Sequence, residues 1–280
     1  MIPFRSAAIA GLGLIGGSLA RDLAVGGIEV TGADIDARSL EEAMREGVIA
    51  QAAGADLAGF ESADVIVLAL PADAVRAALD TLAARSLHAR LITDTGGTKC
   101  ATVAAADSTS LAARFVGSHP FAGDHRSGWD AGRTGLFRGA RVFLTPSPRS
   151  SADALSLARE LWQLPGGVPE ILDAASHDER MAFASHLPQI VSSALGTVLA
   201  AAGIGRSDLG SGGRDVTRLA GSSPDLWAPI ALENAAMLRE PLAALRAEIE
   251  HFEQALAAGD NEAIRRLFAR AREWSESPSS

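Results

Sequence analysis

At 280 residues, with 48% hydrophobic and 21% charged side chains, the chain is long enough to fill one large or two modest cores. Its formal net charge of -9 at pH 7 and pI of about 5.2 exclude the basic field that nucleic acid or an anionic membrane surface demands. The single cysteine, Cys100, excludes an internal disulfide and a cysteine-built metal site, as suits the reducing cytoplasm expected for this protein.

Residues Met1 to Ala20 imitate a secretory signal, with Arg5 leading into an apolar, small-residue run. Cleavage there would destroy Ala7-Ala8-Ile9-Ala10-Gly11-Leu12-Gly13-Leu14-Ile15-Gly16, so the segment is read as a strand, a tight turn and a helix. In this G-x-G-x-x-G, Gly11 permits the turn, Gly13 lets backbone approach a pyrophosphate, and Gly16 lets the helix pack on the strand. Leu14 and Ile15, at the helix start, join them as cofactor contacts. A second strand-like run, Glu29 to Ala33, ends at Asp34, an acid that can accept hydrogen bonds from both adenosine ribose hydroxyls. With Asp36 close behind, a 2'-phosphate would meet two carboxylates, so the spacing predicts NAD as cofactor.

Val65 to Leu70 is an apolar strand stopped by Pro71, and Val75, Leu79 and Leu82 follow at helical spacing. Leu91-Ile92-Thr93-Asp94, Arg114 to Gly117 and Val142 to Leu144 are further strands; a helix around Ala154 to Leu161 and a last strand, Val168 to Leu172, complete the pattern. This alternation predicts a Rossmann-type, doubly wound, mostly parallel sheet over residues 1–174. From Ser176 the pattern turns helical, opened by a capping box of Ser176 and Glu179, so residues 175–280 are predicted to form an all-helical domain. Leu238, Leu242, Leu245, Ile249, Phe252 and Leu256 recur at spacings of four and three, a stripe that serves either a core or a subunit interface, with Pro241 near its start. No apolar stretch is long enough to span a bilayer, and no membrane partner is expected.

Open α/β sheets bind ligands beyond the carboxyl ends of their strands. His119, read as lying just past a strand end and fixed by Pro120, is the candidate acid/base, since a histidine titrates near neutrality. Arg218 offers a planar fork for a carboxylate, a local cation that any anionic substrate of this acidic chain would need. Lys99 is the only lysine.

Taken together, the glycine turn, Asp94 to Lys99, Gly117-Ser118-His119-Pro120-Phe121-Ala122-Gly123, His177-Asp178, Ser185-His186-Leu187-Pro188, Asp215 to Ala220, Pro224-Asp225-Leu226-Trp227 and Asn234 resemble the prephenate/arogenate dehydrogenases of tyrosine biosynthesis. The resemblance implies an NAD-dependent oxidative decarboxylation: prephenate would give 4-hydroxyphenylpyruvate, and arogenate would give tyrosine. It assigns His119 as the base on the substrate hydroxyl and Arg218 as a carboxylate anchor. It also places Thr98, His125, His186, Gln189 and Trp227 around the substrate and Asp94 at the cofactor, and it implies a homodimer formed through the helical domain. Three positions depart from the family pattern: Gly97 replaces a frequent serine, His125 a frequent glutamate, and Gln189 a frequent second histidine. Loss of an acid at position 125 favours prephenate over arogenate or an amino-substituted analogue. A noncatalytic NAD-binding protein is the remote alternative. Other hydroxyacid dehydrogenases of this fold use a lysine base in the helical half, where this chain has none.

Overall fold

The structure is a computed structural model that describes residues 3–123, 126 and 128–277. It opens with β1 (Ser6–Ala10), α1 (Leu14–Val25), β2 (Glu29–Ala33), α2 (Ala37–Arg45) and the short β3 (Gln51–Ala52). Next come β4 (Val65–Leu68), α3 (Ala72–Ala83), β5 (Leu91–Asp94) and α4 (Cys100–Asp107). These five strands form one parallel sheet in the order β3-β2-β1-β4-β5, as right-handed crossovers through helices require. The order reverses between β1 and β4, and that switch point is where a ligand crevice opens at the strands' carboxyl ends.

The sheet continues through β6 (Val116–Pro120), β7 (Arg141–Pro146), α5 (Ala152–Gln163) and β8 (Val168–Ile171). A single parallel bridge, Ile92 to Phe115, joins the two parts. β6 and β7 run antiparallel, the chain between them having no crossover α-helix among the described residues; β7 and β8 are parallel. β6 begins two residues later than the sequence suggests, after a 3-10 turn at Ala112–Arg114, and runs on through Pro120. His119 therefore lies within a strand, paired with Phe143, and not just past a strand end.

The core is two-sided. Ile9, Val30, Val65, Val67, Leu91, Leu161 and Trp162 fill one face of the sheet; Ile66, Leu68, Leu79, Leu82, Ile92 and Phe115 fill the other. β4 is buried along its whole length, the expected signature of a central parallel strand.

Helices follow from Ala174: α6 (Ala174–Met181), a π-helical turn (Ala182–His186), α7 (Leu187–Ala201), α8 (Ser211–Val216), α9 (Pro224–Glu233), α10 (Ala235–Ala257) and α11 (Asn261–Glu276). The cap of α6 is Asp173, not Ser176. The Asp173 carboxylate accepts from the Ser176 N–H at 2.9 Å and from the Ser176 hydroxyl at 2.6 Å, so a stronger acceptor three residues earlier takes the N-cap. Pro241 lies inside α10, where it removes one N–H from the ladder without ending the helix. Leu238 is buried, whereas Leu242, Ile249 and Leu256 of the same stripe are exposed in the single chain, as are Phe268 and Trp274 of α11. Among the described residues, no helix is long and apolar enough to cross a membrane.

Candidate active site

The glycine turn sits at the switch point. Gly11 has φ +88°, and a Cβ there would stand 2.1 Å from the Ala69 carbonyl at the end of β4, so only glycine lets these strand ends meet. A Cβ on Gly16 would stand 1.9 Å from the Gly11 carbonyl, so the helix must also pack there without a side chain. Gly13 is different: nothing lies within 4 Å of where its Cβ would be. The turn therefore presents open backbone at the N-terminus of α1, beside Leu14 and Ile15, where an anionic pyrophosphate is favoured. Asp34, at the end of β2, accepts from the Leu12 N–H at 2.6 Å and from the Asp36 N–H at 2.8 Å, which ties the ribose-side acid to the turn. The cradle fits a dinucleotide.

Asp94, expected at the cofactor, is placed otherwise. It is fully buried and ion-paired with Lys99, and it accepts from the backbone of Gly96 and Ser118. The Lys99 ammonium also donates to the Ser118 carbonyl at 2.8 Å. This pair pins the loop after β5 to β6, one residue from His119.

His119 is half-buried, with Phe121 edge-on at 5.9 Å between ring centroids and His177 at 5.1 Å. Its Nδ1 meets His177 Nε2 at 2.9 Å, and His177 Nδ1 meets Asp178 Oδ1 at 2.8 Å. The other ring nitrogen, Nε2, lies 3.9 Å from where a Cβ on Gly97 would stand. The family's frequent serine at this position is thus replaced by space against the base. Burial, assisted by the neighbouring His177, Lys99 and His186, holds His119 well below the usual histidine range. A base must be unprotonated to act, and a lowered pKa keeps it so at lower pH. The acid limb of kcat/KM is therefore expected below about pH 6.5, the ordinary histidine value. A pH profile checks this, and a limb centred at or above neutrality would contradict it.

The helical half closes the site. The π-helical turn brings His186 into a buried position, where Nδ1 meets Asn234 Nδ2 at 3.0 Å and the ring stands edge-on to Trp227 at 5.9 Å. Burial pushes the His186 pKa down to about 4, so it is neutral near pH 7. Gln189 is buried and fully engaged: its amide nitrogen donates to the Leu219 carbonyl at 2.8 Å, and its oxygen accepts from the Ser222 hydroxyl at 3.2 Å. It shapes the turn that carries Arg218, which is exposed and, among the described residues, forms no ion pair. Thr98 is buried and donates to Glu233 Oε2 at 2.5 Å, and Arg76 of α3 stands 3.9 Å from the same carboxylate. His125 lies outside the described residues.

Sequence reasoning gave no role to His177, Asp178, Asn234 or Glu233. His177-Asp178 and Asn234 belonged to the resembling blocks, but nothing local in the sequence marks Glu233. Cys100, beside Asp178, has its thiol pushed up to about 12 by burial, which makes it no nucleophile.

A family model for the prephenate dehydrogenase nucleotide-binding domain matches residues 19–170, and one for the prephenate dehydrogenase dimerization domain matches residues 173–270. Prephenate dehydrogenase of Bacillus subtilis is 31% identical over 275 residues, covering 95% of this chain and 74% of its own length. Cyclohexadienyl dehydrogenase of Zymomonas mobilis is 31% identical over 273 residues, covering 94% of this chain and 92% of its own. The crystal structure of prephenate dehydrogenase from A. aeolicus, in complex with hydroxyphenyl propionate and NAD+, is similar with a TM-score of 0.88 at 28% identity, covering 97% of this chain and 98% of that one. With a glycine turn whose open backbone fits a dinucleotide and both domain models matched in order, the chain belongs to the prephenate dehydrogenase family of oxidoreductases.

Proposed function

We propose that this protein is an NAD-dependent prephenate dehydrogenase that converts prephenate to 4-hydroxyphenylpyruvate and carbon dioxide, and that it works as a homodimer. The observation that carries the reading is His119, whose Nε2, without a partner among the described residues, faces the gap left by Gly97 while its Nδ1 meets His177.

NAD, held by Gly11, Gly13, Leu14, Ile15, Gly16 and Asp34, supplies the oxidant that takes the hydride from the hydroxyl-bearing carbon. His119 Nε2 accepts the hydroxyl proton as that hydride leaves. The ring carboxylate departs as carbon dioxide, its bonding pair enters the ring, and His119 returns the proton to the oxygen of the new phenol. No proton is lost overall. Arg218 holds a carboxylate with its planar fork, countering the repulsion a dianion meets in a chain of charge -9. His186 and Trp227, edge-on to each other, offer substrate contacts from the helical side, while Gln189 holds the turn before Ser222 and Thr98 ties the loop after β5 to Glu233. Exposed Ile249, Leu256 and Phe268, on the segment matched by the dimerization domain, and Trp274 just past it support pairing with a second copy.

The test is NADH formation by purified protein given prephenate or arogenate with NAD or NADP. Turnover with prephenate and NAD, and a weaker response with NADP because Asp34 and Asp36 repel a 2'-phosphate, is the expected result. Turnover with arogenate alone would keep the reaction and change the substrate, and silence with both would sink the proposal.

A further inference from the structure

We infer that Asp178 sets the tautomers of both histidines of the site, in opposite senses, through its two polar groups; the consequence for catalysis rests on His119 being the base. The first group is the carboxylate. Oδ1 accepts from the Lys99 N–H and from His177 Nδ1, and Oδ2 accepts from the Cys100 N–H, each at 2.8 Å. Burial works against its charge, but the hydrogen bonds from His177 and from the Cys100 and Lys99 amides at the start of α4 hold its carboxyl below the usual range. An ionised carboxylate only accepts, so the proton of His177 sits on Nδ1 and its Nε2 is bare. Bare Nε2 in turn accepts from His119 Nδ1 at 2.9 Å. His119 then carries its proton on Nδ1, and its Nε2 lone pair faces the cleft.

The second group is the Asp178 carbonyl, which also only accepts. It takes a hydrogen bond from Asn234 Nδ2 at 2.8 Å, and this fixes which end of that amide points inward. The second hydrogen on Nδ2 goes to His186 Nδ1 at 3.0 Å, so His186 keeps its proton on Nε2. One histidine thus offers an acceptor for the substrate hydroxyl and the other a neutral donor for a substrate oxygen. Asp178, His177 and Asn234 are positioning residues in this arrangement. The chain from His119 ends at the backbone amides of Lys99 and Cys100, which matches a reaction that returns its proton and has none to export.

Nitrogen-15 NMR of the histidine side chains in the intact enzyme near neutral pH reads the tautomers directly and does not depend on turnover. The expected pattern is a proton on Nδ1 for His119 and His177 and on Nε2 for His186. A proton on His119 Nε2 in the unmodified protein would overturn the inference. Asp178→Asn is expected to deplete the Nδ1–H form of His119 and lower kcat by about 10²-fold or more, as a wrong tautomer does, with the KM for NAD unchanged. Asn234→Asp is expected to move the His186 proton to Nδ1, raise the substrate KM about tenfold, and leave the His119 tautomer in place. A merely structural role would move both histidines or neither. If Asp178→Asn fails to fold, the native spectrum and Asn234→Asp still decide. The expected tautomers in an enzyme silent on every substrate would support this inference while refuting the functional reading.

Discussion

His119→Ala is expected to reduce kcat/KM for prephenate by about 10³-fold, within the range that a positioned general base contributes. The loss should fall on kcat, because the proton leaves the hydroxyl only as the hydride departs, so the base acts in the transition state and little in the ground state. NAD affinity should survive, since the ring packs on Phe121, Phe143 and His177 and, among the described residues, makes no hydrogen bond to the Gly11–Gly16 turn or to Asp34. Thermal stability should fall modestly, because the fully buried His177 loses the hydrogen-bond partner of its Nε2. Stopped-flow turnover together with NAD titration checks both parts. A variant within tenfold of the parent would remove His119 from the reaction and assign the base to another group.

Arg218→Ala is expected to raise the KM for prephenate by about 10²-fold or more, with a smaller effect on kcat. Each charge-assisted hydrogen bond to a carboxylate is worth about 1.5–3 kcal/mol, and a planar fork makes two. Arg218→Lys should recover only part of that loss, since an ammonium restores the charge but not the paired geometry. Because Arg218 is exposed and makes no ion pair among the described residues, its removal breaks no ion pair there, and stability should hold. Steady-state kinetics over a wide substrate range separates the terms. An unchanged KM would assign the carboxylate to another cation.

Much of the first half was legible because its signals are local. The glycine turn, the acid after β2 and the alternation of apolar strands with helical spacing each lie within a few residues. Boundaries were less legible. β6 reaches Pro120 because β7 pairs with it, and no window around Arg114 contains that partner. The α6 cap moved to Asp173 because two good acceptors stand three residues apart, and only the geometry of the turn chooses between them. Asp94 shows the same limit: the resemblance places it at the cofactor, and only the fold shows its carboxylate fully buried and paired with Lys99.

The sequence by itself determined the dinucleotide turn, the histidine proposed as base and the order of sheet and helices, since each depends on residue type at short spacing. Only the tertiary structure decided how the base is held. His119 meets His177 across 58 residues, Asp178 meets Lys99 across 79, Asn234 meets His186 across 48, and Thr98 meets Glu233 across 135. Hydrogen bonding acts over about 3 Å, and nothing in a linear pattern states which distant donors and acceptors the packing of α6, α9 and the π-helical turn against β6 will bring within that reach.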